Sequence, residues 1–595
     1  MYCPECGTLI ENDVIFCPEC GTKVVDDAVD ELTSPEAVPE SVSASTPRPS
    51  IQALMLTHMA ALADKLGATE DVVRAVLDDF IAARSAQGIA YTLIDANNCD
   101  TGYGRRSLRK GASWTEWADL LRDVRQAADE GKMPNAECLF IIGGNDIVPM
   151  PVIRHYLADD GQSTETTIDT DVPYTYPFGA GETQRDLSTG ELYDREICYT
   201  VGRLPLPADA RLDDLTDYLM RAGVQPYIKV RHAYAQCDPH WRRVTNSNVA
   251  ELKKRNMLRV NAGDVSDKMF YSGIYLTPEV DTDSVSDYLA PETQLAFFNL
   301  HGSAAPNSPG FMGQSVTDPS DWRTAIMPSD LQRLTRPNVI VTEACYGARF
   351  EGFDTRHSMV QAALAAQTLI YLGSSRIAYG SVDSWYESDE DVKGTLADVL
   401  TSEFVHALLS GYTAGDALWM ARYTLLDNCE MGPYEATTLA EFNLYGDPTM
   451  QVAIAAHGKA ASLTDPMPRP LRQPKPRRRS LIRWTGSVRA EKFKTAGLNT
   501  SVLRMVRGVV DNQLTQIHEK VAKELYDRWG IRPRQLTGAV NLHYATGKNA
   551  VALHYETDDE RALSKAKEAG LLTRISVIVS PPAEGSRILA VYAPR

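Results

Sequence analysis

The sequence predicts an α/β fold built on a mostly parallel sheet with helices on both faces, and three observations predict it. Short apolar runs of strand length recur between about 90 and 455. Stretches with helical spacing separate them. Two of the runs end in residues that carry chemistry, and an open α/β sheet places its ligands beyond the carboxyl ends of its strands. Strands are expected at 91–95, 137–142, 295–300, 338–344 and 368–373, and helices at 114–129, 209–222, 245–255, 357–367, 394–409 and 414–425. Such alternation argues for parallel strands joined by helical crossovers.

The two chemistry-bearing runs are Leu295–Leu300, which leads into His301-Gly302-Ser303, and Asn338–Ala344, which leads into Cys345-Tyr346-Gly347. If the runs are neighbouring parallel strands, an imidazole and a thiol meet at one rim, as a nucleophile with its general base. Glu343 lies two residues before Cys345 and points to the same side of its strand, so it is a candidate carboxylate for the site. Asn299 stands in the same relation to His301.

A chain of 595 residues is too long for one core, so several folded units are expected. The net charge of −18 argues against non-specific binding to nucleic acid. No apolar stretch approaches the roughly 18 residues that span a bilayer, and the N-terminus has no signal-peptide pattern. The ten cysteines comprise a set of four in a metal pattern and six scattered singly, which fits a reducing cytoplasm.

Cys3-Pro4-Glu5-Cys6-Gly7 recurs as Cys17-Pro18-Glu19-Cys20-Gly21. Two such knuckles let four thiolates converge on one Zn²⁺, so residues 1–25 read as a zinc ribbon with a structural metal. Residues 26–50 are a linker rich in Pro, Ser, Ala and acid, and 51–89 carry helical spacing broken at Gly67-Ala68-Thr69-Glu70. The 90–455 segment is the α/β domain. A basic, proline-rich linker follows at 456–492, with arginines from Arg469 to Arg489. Residues 493–595 read as a small α+β domain: a long helix over 498–529, a hairpin, a helix at 558–569 and two closing strands. No catalytic constellation is visible there.

Several ordered segments resemble the gingipain-type cysteine peptidases, within the broader caspase-like fold. They are Leu139–Pro149 with its Gly-Asn-Asp turn, Asp169-Thr170-Asp171-Val172-Pro173-Tyr174, Val201-Gly202-Arg203-Leu204-Pro205, the His-Gly and Ala-Cys pair, and Asn443-Leu444-Tyr445-Gly446-Asp447-Pro448-Thr449. The resemblance spans roughly 136–453. It implies a caspase-like sheet, Cys345 as nucleophile and His301 as its base. It also implies an oxyanion hole made by the backbone N–H groups of Gly302 and Cys345. By the same resemblance, Ser374, Ser375 and Trp385 edge the substrate cleft. Arg243 or Asp238 then sets the charge preference: Arg243 in the pocket favours an acidic residue before the cut bond, Asp238 a basic one. The cluster of Asp383, Glu387, Asp389, Glu390 and Asp391 is a candidate Ca²⁺ site. The chain departs from gingipains in having no secretory signal pattern and no run of short alternating strands after the catalytic domain.

The leading expectation is therefore a cytoplasmic, prokaryote-like cysteine endopeptidase acting on protein or peptide substrates. Its ribbon or C-terminal domain would contact a regulatory protein. A peptidase-derived scaffold is the alternative, and retention of both His301-Gly302 and Cys345 weighs against it. A zinc-ribbon nucleic-acid factor using the 469–489 arginines is a third, disfavoured by the acidic whole. One equivalent of zinc per chain is expected by elemental analysis. Cys6→Ser or Cys17→Ser should release it without moving the thermal transition of the α/β domain.

Overall fold

The computed structural model describes residues 51–98, 107–157, 165–176, 197–258, 269–305, 309–333, 337–383, 394–428, 431–454, 510–533, 535–543, 549–557, 574–580 and 587–595, with a few single residues between 564 and 571. The four zinc-pattern cysteines, both linkers and Trp385 lie outside them, as do Glu387, Asp389, Glu390 and Asp391.

The helical spacing of 51–85 holds for Met59–Leu66 and Glu70–Ser85, separated by Gly67 at φ 62° and capped by the Thr69 hydroxyl, which accepts from the Val72 N–H. It does not hold for Ile51–Thr57, which is a strand. That strand lies between Ile89–Asp95 and Cys138–Ile142, parallel to both. A strand buried on both faces is apolar on both, so its periodicity cannot be told from that of a buried helix. The α/β unit therefore begins at residue 51 and not near 90.

Eleven strands form the central sheet, in the order Ile89–Asp95, Ile51–Thr57, Cys138–Ile142, Thr200–Leu204, Phe442–Gly446, Ile370–Ser374, Val339–Thr342, Leu295–Asn299, Ala233–Cys237, Ile274–Leu276 and Phe270–Tyr271. The first five run parallel to one another. So do the next five, and the two blocks meet antiparallel between Phe442–Gly446 and Ile370–Ser374. The chain steps outward from Ile51–Thr57 to Ile89–Asp95 and then inward to Cys138–Ile142. With right-handed crossovers, that reversal puts Glu70–Ser85 and Trp114–Asp129 on opposite faces. Most of the expected elements are present, including Trp114–Asp129 at its expected bounds; the 245–255 helix is two short helices, Arg242–Asn248 and Ala250–Lys254. No helix among the described residues is long and apolar enough to cross a membrane.

The motif residues outside the His–Cys pair hold the first block together. Arg203 is fully buried and grips Asp171 at 2.6 and 2.9 Å, while its remaining nitrogen donates to the Gly143 and Val148 carbonyls. Asp447 accepts from the Tyr91 and Thr449 hydroxyls and pairs with buried Arg84 at 3.3 Å. A Cβ on Gly202 would stand 2.4 Å from the Gly446 carbonyl oxygen, so the Val-Gly-Arg motif needs glycine where these two strands approach.

The C-terminal unit places the helix Val510–Trp529 against an antiparallel sheet of Gln535–His543, Asn549–Glu556, Arg574–Val579 and Ile588–Pro594. Ile517, Val521 and Leu525 pack on Leu553, Tyr555, Val577 and Val591. The sheet's fifth strand, Tyr379–Ser381, comes from the α/β domain. The segment read as a separate domain is thus stitched to the other by shared backbone hydrogen bonds.

Leu56 is fully buried in the internal strand and Val72 is 45% exposed on its helix. Leu56→Ala should cost about 2–5 kcal/mol in urea denaturation, whereas Val72→Ala should stay within about 0.5 kcal/mol.

Candidate active site

Three adjacent strands of the second block deliver three side chains to one rim. Leu295–Asn299 pairs with Val339–Thr342 on one side and with Ala233–Cys237 on the other, all parallel. Their carboxyl ends lead into His301, Cys345 and Asp238. The backbone of His301 is fixed by reciprocal bonds with Met312, at 2.9 and 2.8 Å. Its ring lies between Trp241 and Trp322, with centroids 4.4 and 4.9 Å away.

His301 Nε2 faces Asp238 Oδ2 at 3.7 Å. Asp238 is buried and accepts from the Gln314 N–H, the His240 N–H and the His240 ring, at 2.7–2.8 Å. Burial alone would raise this carboxyl, but His240, His301 and the Gln314 N–H outweigh it and hold the group below the usual range. Asp238 therefore stands as an anion behind the imidazole, an orienting place for which sequence reasoning considered Glu343 and Asn299. Asn299 instead donates to the Thr245 hydroxyl, and its carbonyl accepts the Asp238 N–H.

Cys345 opens a tight turn. Tyr346 has φ 54°, a left-handed conformation that costs a non-glycine residue about 1 kcal/mol or more. A Cβ on Gly302 would fall 1.8 Å from the Cys345 carbonyl oxygen, so only glycine lets the two loops touch. Their N–H groups converge on one acceptor, the carbonyl oxygen of Arg595, at 2.9 Å from Cys345 and 3.3 Å from Gly302. The pair expected to form an oxyanion hole thus holds a carbonyl, supplied by the end of the C-terminal unit.

The rest of Arg595 fills a buried acidic pocket. Its Nη2 donates to Asp398 Oδ1 and to the Ser381 carbonyl, both at 2.7 Å, and its Nε lies 3.5 Å from Glu343 Oε2. The guanidinium stacks on Trp241, with Cζ 4.3 Å from the ring centre. Gly380 forms the wall, where a Cβ would come within 2.6 Å of the guanidinium atoms. Asn248 joins the acids, donating to Glu343 at 2.8 Å and to Asp398 at 3.3 Å. Burial, then the neighbouring Asp398, pushes Glu343 well above the carboxylate range. Burial opposes ionisation of Asp398 too, but Arg595, the Glu343 hydrogen bond and the Ser381 and Thr395 N–H groups bring it below its ordinary value. Burial thus favours the neutral form of Glu343, while Arg595 favours the ionised form of Asp398.

Other expected site residues lie elsewhere. Arg243 donates its backbone N–H to Asp383 at 2.9 Å, and Asp238 faces the imidazole. Ser374 and Ser375 are buried and bond inward, Ser374 to the Arg376 carbonyl and Ser375 to the Asp169 carbonyl. Asp383 caps a helix by accepting the Arg243 and Val244 N–H groups, and no cluster suited to a metal ion occurs among the described residues. Trp241 walls the pocket on its aromatic side, and Trp385, expected to edge the cleft, lies outside the described residues. Sequence reasoning missed Asp398 and Arg595. Their only signals were an acid in the first turn of a helix and a basic residue closing a strand pattern.

Comparison with known proteins decides the family. A model described as peptidase family C25 matches residues 51–453. The chain belongs to peptidase family C25. Residues 1–24 match a zinc-ribbon domain. No curated protein matches the sequence. Among solved structures, this C25 chain is similar to a protease at 12% identity and TM-score 0.39, over 68% of this chain and 78% of that one. It is also similar to separase in two crystal structures of the Saccharomyces cerevisiae separase–securin complex, at 10% identity and TM-scores of 0.28 and 0.29, over 59% of this chain and 18% of theirs. With scores this low, membership rests on the family model.

With the cleft filled, burial lowers the His301 imidazole from 6.5 to about 4, and burial followed by Glu441 pushes the Cys345 thiol up. Both groups are then neutral near pH 7. Because the folded value of His301 lies below the unfolded one, its contribution to stability is intact above pH 6.5 and declines as the pH falls toward 4. An NMR titration of the His301 ring should show no protonation between pH 8 and 5.5.

Proposed function

We propose that this C25 chain is an intracellular cysteine endopeptidase that cuts after arginine, with Cys345 as nucleophile, His301 as general base and Asp238 orienting the imidazole. The observation that carries the reading is Arg595, whose carbonyl sits on the Gly302 and Cys345 N–H groups while its guanidinium sits among Glu343, Asp398 and Trp241. A scissile carbonyl occupying the same spot has its oxygen already aimed at two donors, where developing charge is stabilised. Cys138, Cys237 and Cys345 are free thiols, which fits a reducing compartment. Cys3, Cys6, Cys17 and Cys20 would hold one structural Zn²⁺ in the ribbon, apart from the chemistry.

In the reaction, the Cys345 sulfur bonds to the carbonyl carbon as its proton passes to His301. The C–N bond breaks and the leaving amine takes that proton. Water then attacks the thioester, giving a proton to His301 and releasing the carboxyl product, and the thiol is restored. Asp238 favours the imidazolium that forms in between. Glu343 and Asp398 take no part in these transfers and select the side chain before the cut.

In an Arg595→Ala background, an activity-based electrophile carrying arginine should label the chain that keeps Cys345 and not its Cys345→Ala variant; equal labelling of the two would remove the peptidase reading. In the Arg595→Ala background Asp398→Asn should lower kcat/KM for an arginyl peptide about 10- to 150-fold, the worth of a hydrogen bond to a charged group. A glutamyl peptide should be cut more slowly than the arginyl one by wild type. Preference for the glutamyl peptide would sink the assignment of the pocket.

A further inference from the structure

The strand Ile588–Pro594 runs antiparallel to Tyr379–Ser381, with Pro594 opposite Tyr379, Ala593 opposite Gly380 and Tyr592 opposite Ser381. The Arg595 N–H continues the ladder to the Ala378 carbonyl at 2.9 Å, and the Cys345 thiol points to the same carbonyl at 3.5 Å. Peptidases commonly bind an extended substrate as an added strand, with main-chain bonds for affinity and alternate side chains for specificity. Here Arg595 takes the acidic pocket and Tyr592 packs on Tyr434, with ring centres 5.1 Å apart. Tyr434 in turn meets Tyr379 edge-on, also at 5.1 Å.

The C-terminal unit covers both walls of the cleft as well. Leu542, Ala550, Ala552 and Ile578 share a buried cluster with Cys345, which is 2% exposed. On the histidine side, Ala566 and Leu571 pack on Met312, and the Ala569 carbonyl accepts from the Ser303 hydroxyl at 2.5 Å. An arm seated this way leaves no room for another chain at the nucleophile.

We propose that residues 510–595 are a built-in inhibitor. Its segment Tyr592-Ala593-Pro594-Arg595 occupies the substrate-binding cleft of its own chain, and peptides or proteins bearing that sequence pattern bind once the segment is displaced. The inhibitory role rests on the peptidase reading; occupancy of the cleft does not, so the two are tested separately.

Occupancy is measured in a full-chain Cys345→Ala background by fluorescence polarisation with labelled Tyr-Ala-Pro-Arg. Arg595→Ala and a deletion of residues 592–595 should bind the peptide at least tenfold more tightly than the parent. Arg595→Ala keeps the strand and changes one side chain, so it serves if the deletion does not fold. Equal binding by parent and variants, or binding by none, overturns the proposal. With Cys345 present, Arg595→Ala should hydrolyse acetyl-Tyr-Ala-Pro-Arg-aminomethylcoumarin at least tenfold faster than wild type. Equal hydrolysis overturns the inhibitory role. Enhanced binding with no hydrolysis by any variant retains the occupant and overturns the peptidase reading.

Discussion

The parallel register of three strands is the constraint from which the site follows. Asn299 lies opposite Cys237, and Phe298 lies opposite Thr342, so the three strands reach the rim together. Asp238, His301 and Cys345 then follow the ends of adjacent strands without any long loop to order them. Loop closure entropy is spent on the hydrogen-bonded sheet, which is buried on both faces, and not on the site. The cost appears locally instead, in a left-handed Tyr346 and in glycine at 302, where the histidine loop meets the Cys345 backbone.

Charge at this rim is partitioned by the partners each buried acid has. Asp238 remains ionised behind the imidazole because backbone and His240 donors replace the water it gave up. At Glu343 burial and the neighbouring Asp398 favour the neutral form, while Arg595 favours the ionised form of Asp398, so the pair suits a buried cation. An arginine stacked on Trp241 meets the planar and electrostatic demands together, whereas a lysine ammonium would forgo the stacking contact.

Much of this was legible in the sequence. Two apolar runs ending in His-Gly and Ala-Cys were enough to predict two neighbouring parallel strands, and Leu295–Asn299 and Val339–Thr342 pair in that way. Glu343 was singled out from strand alternation as a carboxylate for the site, and it bonds to Asn248 and Thr401 and faces the Arg595 guanidinium. Its partners, Asn248, Thr401 and Arg595, were not readable, because helix packing and a distant segment bring them in. Asp398 and Arg595 are 197 residues apart, and no local pattern in either announces the other. Ile51–Thr57 was misread for the opposite reason: an apolar run enclosed on all sides loses the asymmetry that distinguishes strand from helix.

The three-residue strand Tyr379–Ser381 belongs to two structures at once, as cleft wall and as margin of the C-terminal sheet. If the terminal strand swings away, both pieces show rows of unsatisfied N–H and C=O groups, and such bare margins invite pairing with whatever extended polypeptide is near. The opened molecule is then adhesive along the groove it needs for work. It is equally prone to zip onto a neighbour of its own kind, so staying monomeric and staying shut become linked properties.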